Sequence, residues 1–250
     1  MNEGNCTSIG GVNLKPCLSE RVPGQKWYKP IICINRDEGG ERRVYKTYRY
    51  EQGPLGQYFR LLTSHEHRML QRVQGLAFTP QGVERDARSA NTLSYDYVDG
   101  APIKKRFQNG AIPERFFFRL YQAVSELHER GVAHLDVGNS GNILISPEGN
   151  PVLIDFGSAM PLNRLPVITR AWARKKDLLG VLKLWHRFDG ASMPDHLQDY
   201  YQRHYRKNIY TPKRFFKAFK RYWVSDGEEM NGIAAMTGVF LGLLFLVTVV

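Results

Sequence analysis

Three oxygen-bearing side chains frame the most chemically suggestive stretch of the chain, HLDVGNSGNILI followed by VLIDFGSA: Asp136, Asn142 and Asp155. Moving a phosphoryl group from a nucleotide to a hydroxyl needs a carboxylate that orients the acceptor. It needs an amide or carboxylate that holds a metal from the loop side, and a second carboxylate that holds Mg²⁺ against the phosphates. Asp136, Asn142 and Asp155 are of these types in that chain order. Two short apolar runs, NILI at 142–145 and VLID at 152–155, enclose the turn SPEGNP and predict a hairpin. Asn142 opens the first strand and Asp155 closes the second, so the hairpin would make the two metal ligands converge.

The same chemistry calls for a cation on the phosphates and an anion that fixes it. RRVYKTYRY reads as a strand, and strand alternation places Lys46 on the face of Val44. A lone strand lysine is ordinarily a solvated edge residue. Glu66 changes that reading. It falls four residues after Leu62 and four before Leu70 in QYFRLLTSHEHRMLQRV, whose apolar spacing predicts a helix over about 57–73. A carboxylate inside an apolar stripe faces inward and needs a cation, and Lys46 is the candidate. His65 and His67, on either side, read as surface residues.

This set of residues resembles the protein-kinase superfamily. HLD with its downstream asparagine resembles the catalytic loop, and Asp155-Phe156-Gly157 is a literal DFG. Either tripeptide alone is a weak signal; the pair, flanking an apolar hairpin and preceded by an amphipathic helix, is a strong one. The resemblance implies an α+β, two-lobed kinase-like fold with ATP and Mg²⁺ bound between the lobes. Lys46 would then position the phosphates, Glu66 would fix Lys46, Asp136 would orient the acceptor hydroxyl, and Asn142 and Asp155 would hold metal. TLSYDYVDG resembles the hinge between kinase lobes, with backbone groups from Asp96 to Val98 offered to adenine. Asp177, read as opening a helix after DFG, resembles the aspartate that braces the catalytic loop; a plain carboxylate at a helix N-terminus is the alternative. The pieces KPII and HEHRMLQRV and the short stretch after DFG are similar to small bacterial kinases of the lipopolysaccharide-kinase (Kdo or heptose kinase) and RIO-like types. Such proteins phosphorylate lipid-linked sugars or act as atypical Ser/Thr kinases.

The chain also departs from the pattern. It has no GxGxxG loop; Val22-Pro23-Gly24-Gln25 is the candidate substitute, with Gly24 at the phosphates. Asp136 and Asn142 lie one residue further apart than in ordinary kinases, while the 13-residue interval from Asn142 to Asp155 matches. One insertion accounts for both and selects Asn142 over Asn139. No Lys or Arg lies between Asp136 and Asn142, Leu135 stands where kinases regulated by activation-loop phosphorylation carry arginine, and no APE follows DFG. Two rival readings stem from these departures: a pseudokinase that binds nucleotide as a scaffold, and a small-molecule phosphotransferase.

The elements that must carry these residues follow from periodicity and turn signals. A leader over 1–20 precedes a β-rich hairpin, KPIICIN and RRVYKTYRY, and NTLSYDYV supplies a further strand. Helices are predicted from Pro113 to Arg130, over 176–188, over 194–207 and over 212–223. Strands with one helix come first, then helices with one embedded hairpin, which is an α+β order. The boundaries are an N-lobe over 21–98, a C-lobe over 99–200, a basic aromatic segment over 201–230 and a span over 231–250.

With 250 residues and 42% hydrophobic content, the chain is long and apolar enough for a substantial core. Its net charge of +11 suits an anionic partner without naming it. Cys6, Cys17 and Cys33 form no CxxC or Cys/His cluster, so neither a disulfide framework nor a zinc site is expected, and a reducing compartment fits. The last 18 residues, from Ile233 to Val250, carry no charge. As a helix they would reach about 27 Å, the depth of a bilayer core. Residues 201–223 hold eight Lys/Arg and no Asp/Glu, interleaved with aromatics, a composition suited to anionic lipid. The expectation is a single-pass C-terminal anchor in a bacterial inner membrane with the catalytic part in the cytoplasm. The adjacent span makes lipid a more economical partner than nucleic acid. Ala234, Gly238 and Gly242, spaced by four, would let two such helices self-associate.

Overall fold

The computed structural model describes residues 28–36, 40–86, 89–109 and 112–205. The leader, the Gly24 loop, the helix over 212–223 and the apolar run from Ile233 lie outside the described residues. Among those described, no helix is long and apolar enough to cross a membrane.

The first half is a four-stranded antiparallel sheet with one helix. β1 (Ile31–Arg36) and β2 (Arg42–Thr47) form the expected hairpin, in a register that pairs Ile32 with Lys46. β4 (Thr92–Asp96) pairs with the other edge of β2, setting Lys46 opposite Leu93, and β3 (Glu84–Arg85) closes the order β1-β2-β4-β3. Lys46 thus lies on a central strand.

Between β2 and β3 runs α1 (Gly53–Arg72), which starts four residues before the expected 57. Pro54 explains the earlier start, because its fixed φ suits a first helical turn. The buried stripe of α1 comprises Phe59, Thr63, Glu66, Leu70 and, just past its end, Val73. Leu62, expected in that stripe, is half-buried at its margin.

The second half is mostly helical. β5 (Ala101–Pro102) leads into α2 (Ile103–Asn109), and then α3 (Phe116–Glu129) buries Phe116, Phe117, Leu120, Val124 and Leu127. Pro113 was expected in the first turn of α3 but precedes the helix. Arg115 adopts a left-handed φ of 58°, so the chain turns there and Phe116 N–H bonds to the Pro113 carbonyl before the helix begins.

The expected hairpin is present: β7 (Ile143–Ile145) pairs antiparallel with β8 (Pro151–Leu153), Ile143 opposite Leu153, and β5 adds to its edge. Two short strands, β6 (Val132–Ala133) and β9 (Met160–Pro161), pair on either side of the hairpin in sequence. α4 (Val167–Asp189) begins nine residues ahead of the expected 176, and α5 (Asp195–His204) is shorter than the expected 194–207. Pro166, immediately before Val167, sets the early start of α4.

One core runs through both halves. Val44, Leu70, Leu93 and Tyr95 from the sheet side join Leu120, Ile143, Leu153, Phe156, Leu182 and Trp185 from the helical side. The β2, α1 and hairpin elements are therefore braced against one another by packing, which holds their polar side chains in fixed relation.

Candidate active site

At the centre of the site is Lys46, 6% exposed, between Glu66 and Asp155. Its Nζ lies 2.8 Å from both carboxylate oxygens of Glu66 and 2.8 Å from Asp155 Oδ1. Glu66 is 2% exposed, and its carboxylate also accepts from the backbone N–H of Phe156. A charge at that depth persists only when paired and hydrogen-bonded. Burial draws the Lys46 ammonium toward neutrality, but the Glu66 and Asp155 carboxylates together outweigh it and raise its pKa above the ordinary lysine value. Burial lifts the Glu66 carboxyl, and Lys46 opposes that rise. Burial also acts upward on Asp155, yet the Lys46 charge and hydrogen bonds hold it below the usual aspartate range.

Asp155 sits at the end of β8 with φ 65° and ψ 72°, a left-handed conformation uncommon for a residue with a side chain. The twist turns its carboxylate toward Lys46 while Phe156 points into the core. Phe156 is fully buried and meets His134 edge-on, with 4.8 Å between ring centroids. His134 Nε2–H donates to the Ile154 carbonyl at 3.1 Å, and its Nδ1 accepts from Asp136 N–H at 3.3 Å. The DFG turn and the HLD loop are thus joined through one imidazole.

On the loop side, Asn142 Nδ2 donates to Asp136 Oδ2 at 2.8 Å, and Asn139 Nδ2 donates to the same oxygen at 3.2 Å. Asn142 N–H closes a turn onto the Asn139 carbonyl, and Ile154 N–H bonds to the Asn142 carbonyl at 2.9 Å. The loop from Asp136 to Asn142 therefore folds on itself, bringing Asn139 into the cluster beside the preferred Asn142.

Asp177 was expected to open a helix but lies three turns into α4, 1% exposed. The plain N-terminal carboxylate is excluded by that position. Its Oδ2 accepts from His134 N–H and its Oδ1 from Leu135 N–H, both at 2.7 Å, and His128 Nε2 lies 3.0 Å away. Leu135 has φ 63°. Asp177 satisfies the two amides exposed by that left-handed turn and so fixes the loop that presents Asp136.

A further correction concerns one flank of the site. His65 is half-buried, not a surface residue: Nε2–H donates to the Ala159 carbonyl at 2.8 Å, tying α1 to the segment after DFG. Burial lowers its pKa. At the expected hinge, Asp96 N–H is already bonded to the Gln81 carbonyl and Tyr97 N–H to the Arg42 carbonyl, both at 2.9 Å. Asp96 has no backbone donor left for a base edge, and its carboxylate pairs with Arg43 at 3.2 Å. Val98 lies just beyond the end of β4.

Lys183 was missed by sequence reasoning. It projects from α4 and donates to the Gly138 carbonyl at 2.8 Å, supplying a cation to a loop that has none of its own. Gly138 and Gly180 make this approach feasible. A Cβ at Gly180 would lie 2.7 Å from Gly138 N, closer than any side chain tolerates. The pair of glycines, each facing the other element, was the available signal.

The arrangement of sheet and helices that carries these residues is similar to a solved fold. Over 70% of this chain and 58% of the other, the structure superposes on the Rio2 kinase of Chaetomium thermophilum with a TM-score of 0.52 at 18% identity. The chain has the fold of the protein-kinase-like superfamily. Sequence comparison agrees: 157 residues are 31% identical to the serine/threonine-protein kinase MRCK gamma of Homo sapiens, covering 54% of this chain. A 77-residue stretch is 31% identical to the probable serine/threonine-protein kinase glkA of Dictyostelium discoideum. The chain spans 10% of the length of the first relative and 16% of the second. No protein-family model matches it.

Proposed function

We propose that this kinase-like chain is an ATP- and Mg²⁺-dependent phosphotransferase acting on a hydroxyl of a lipid-linked sugar, or of a protein Ser/Thr, at the cytoplasmic face of a membrane. The observation that carries the reading is the buried Lys46 bridging Glu66 and Asp155, set against the Asp136–Asn142 pair. A protein that had no use for a cation there would gain little from burying Lys46 and Glu66 together. The Rio2 kinase structure is a complex with ADP/Mg²⁺ and phosphoaspartate, which supports the same nucleotide and metal for this fold.

The donor set suits Mg²⁺. Asn142 and Asp155 offer oxygen atoms, the Asp155 side chain is half exposed, and among the described residues no group of three His, Cys, Asp or Glu competes as a metal cage. Mg²⁺ is characteristically held by one or two protein oxygens with phosphates and water completing its shell. When bound, it would neutralise charge on the β- and γ-phosphates. Lys46, kept charged by its two carboxylates, binds the phosphates from the sheet side. Glu66 holds Lys46 in place. Asp136 accepts a hydrogen bond from the acceptor hydroxyl and orients it for in-line attack, while Asn142 and Asn139 fix the rotamer of Asp136. Asp177 keeps the loop rigid under it. Phosphoryl transfer is mainly a matter of positioning and electrostatics, and each of these roles is of that kind.

The test is incubation of the detergent-solubilised full chain with γ-labelled ATP, a membrane extract and a general protein acceptor, beside Asp155→Ala. Label in the lipid fraction or on protein, lost in the variant, supports the reading and names the acceptor class. Nucleotide binding without transfer to either would replace it with a pseudokinase, and label found only on small soluble alcohols would shift it to a small-molecule phosphotransferase.

A further inference from the structure

Between Asp155 and Asp177 the chain carries five basic residues and no acidic one. Four of the five, Arg164, Arg174, Lys175 and Lys176, are exposed. Among them stand Val167 and Ile168, 75% and 84% exposed, the two most exposed large apolar side chains among the described residues. Trp172, 48% exposed, follows Ile168 by four residues and Lys176 follows Trp172 by four, so the three share one helical face. Lys176 Nζ lies 5.2 Å from the centroid of the Trp172 ring. The first turns of α4 thus present aliphatic and indole groups to solvent within a ring of positive charge.

We propose that this face is a membrane-docking surface for anionic lipid: its cations meet the headgroups while Val167, Ile168 and Trp172 enter the interface. Charge complementarity is one argument. The most exposed apolar pair is aliphatic rather than aromatic, which suits the boundary between headgroup and acyl chain better than the stacking of bases. Continuity with the rest of the chain is the other argument. Tyr200 of α5 shares a cavity of about 270 Å³ with Arg174 and Lys175. Beyond Tyr205, residues 206–223 add seven Lys/Arg and no acid, ahead of the uncharged run from Ile233. Two basic-aromatic stretches, one after DFG and one after α5, would engage the same surface. The inference rests on the membrane side of the proposed function and is independent of its nucleotide chemistry.

The experiment reconstitutes the full chain, and separately Trp172→Phe, into phosphatidylcholine vesicles with brominated acyl chains, with and without phosphatidylglycerol. The difference between the two proteins isolates Trp172 emission. The expected result is a blue-shifted Trp172 component that brominated lipid quenches in the anionic vesicles. That quenching should disappear in Ile168→Asp and in Lys175→Glu/Lys176→Glu, whose far-UV circular dichroism and melting should match the parent. A Trp172 component that stays unquenched in anionic vesicles overturns the proposal, as does one that responds only to an added RNA oligonucleotide or acidic peptide. Mg²⁺-ATP binding is measured on the same samples. Its loss would sink the nucleotide reading and leave the docking result standing, and the converse holds equally.

Discussion

Lys46 and Asp155, 109 residues apart in the chain, meet at 2.8 Å across the boundary between the β-sheet and the helical half. The contact links a central strand to the turn after a hairpin. Glu66 makes the arrangement a relay: α1 packs against the DFG turn through Glu66 and Phe156 N–H. Displacing α1 would therefore release both the lysine and the turn. The site's assembly is tied to the seating of one helix.

Asp155→Ala should abolish Mg²⁺-dependent transfer, with turnover down on the order of a thousandfold or more, by comparison with an arginine finger, one charge-stabilising part of this reaction class, which is worth about 10³–10⁵ in rate. Lys46→Met should do the same and also destabilise the fold by about 3 kcal/mol, because it strands the buried Glu66 carboxylate. Labelled-ATP transfer and urea denaturation separate the two effects. Parent-level transfer by Asp155→Ala would contradict the metal assignment.

Asp177→Asn is expected to cost about 3 kcal/mol. The amide can accept from one of His134 N–H and Leu135 N–H but turns a donor toward the other, leaving a buried amide unsatisfied. Equilibrium denaturation should show the loss. An unchanged midpoint would mean that the loop does not depend on this brace.

The catalytic-type residues were legible because each broke a local rule. Glu66 interrupted an apolar stripe, and Asn142 and Asp155 capped the ends of an apolar hairpin. The two hairpins followed from β-rich runs set around turn residues, which are local signals, whereas their register and the order of strands in the sheet come from the structure. What escaped was set at a distance. Asp177 gives no hint in sequence that α4 runs back to Val167, since the basic, exposed first turns of that helix lack an apolar period. Lys183 lies 45 residues from Gly138 and meets it only because two glycines remove the side chains between them. His65 looked like a surface residue because its partner, the Ala159 carbonyl, is 94 residues away.

A pH effect should appear near neutrality. Burial lowers the pKa of His65 in the folded protein, whereas in the unfolded chain it titrates at about 6.5. Below that value the unfolded state binds the extra proton and the folded state does not, so stability falls as pH falls through this window and is fully present above it. The melting temperature should drop between about pH 7 and pH 5.5. His65→Gln, which keeps a donor for the Ala159 carbonyl, should flatten that slope. An equal slope in the variant would assign the effect to other groups. Asp155, held low by Lys46, contributes in the same direction but only at more acid pH, below the ordinary aspartate range.

Removing residues 231–250 should move the protein from the membrane pellet to the supernatant while ATP binding persists. The uncharged run follows every site residue and contributes none of them. Left in water it would expose far more apolar surface than a soluble chain tolerates. Carbonate extraction and flotation supply the readout. Full-length protein that stays soluble without detergent would remove the anchor from the proposal.

Gly180→Ala tests whether α4 must touch the catalytic-type loop. The added methyl would sit 2.7 Å from Gly138 N and 3.2 Å from Val137 Cβ. The first of these is backbone, which cannot swing aside as a long side chain would. Helix and loop must therefore separate, lengthening the Lys183 bond to the Gly138 carbonyl and shifting Asp136 with it. Overpacking of this kind costs about 1–3 kcal/mol, and a displacement near 1 Å at a reacting group can cost about a hundredfold in rate. Transfer should thus fall by about a hundredfold while nucleotide affinity, set by Lys46 and Asp155 on the other side of the site, changes little. Lys183→Met provides the companion measurement. It removes the cation without forcing the backbones apart, so a rate loss shared by both variants would locate the defect in the loop's electrostatics. A loss confined to Gly180→Ala would locate it in the position of Asp136.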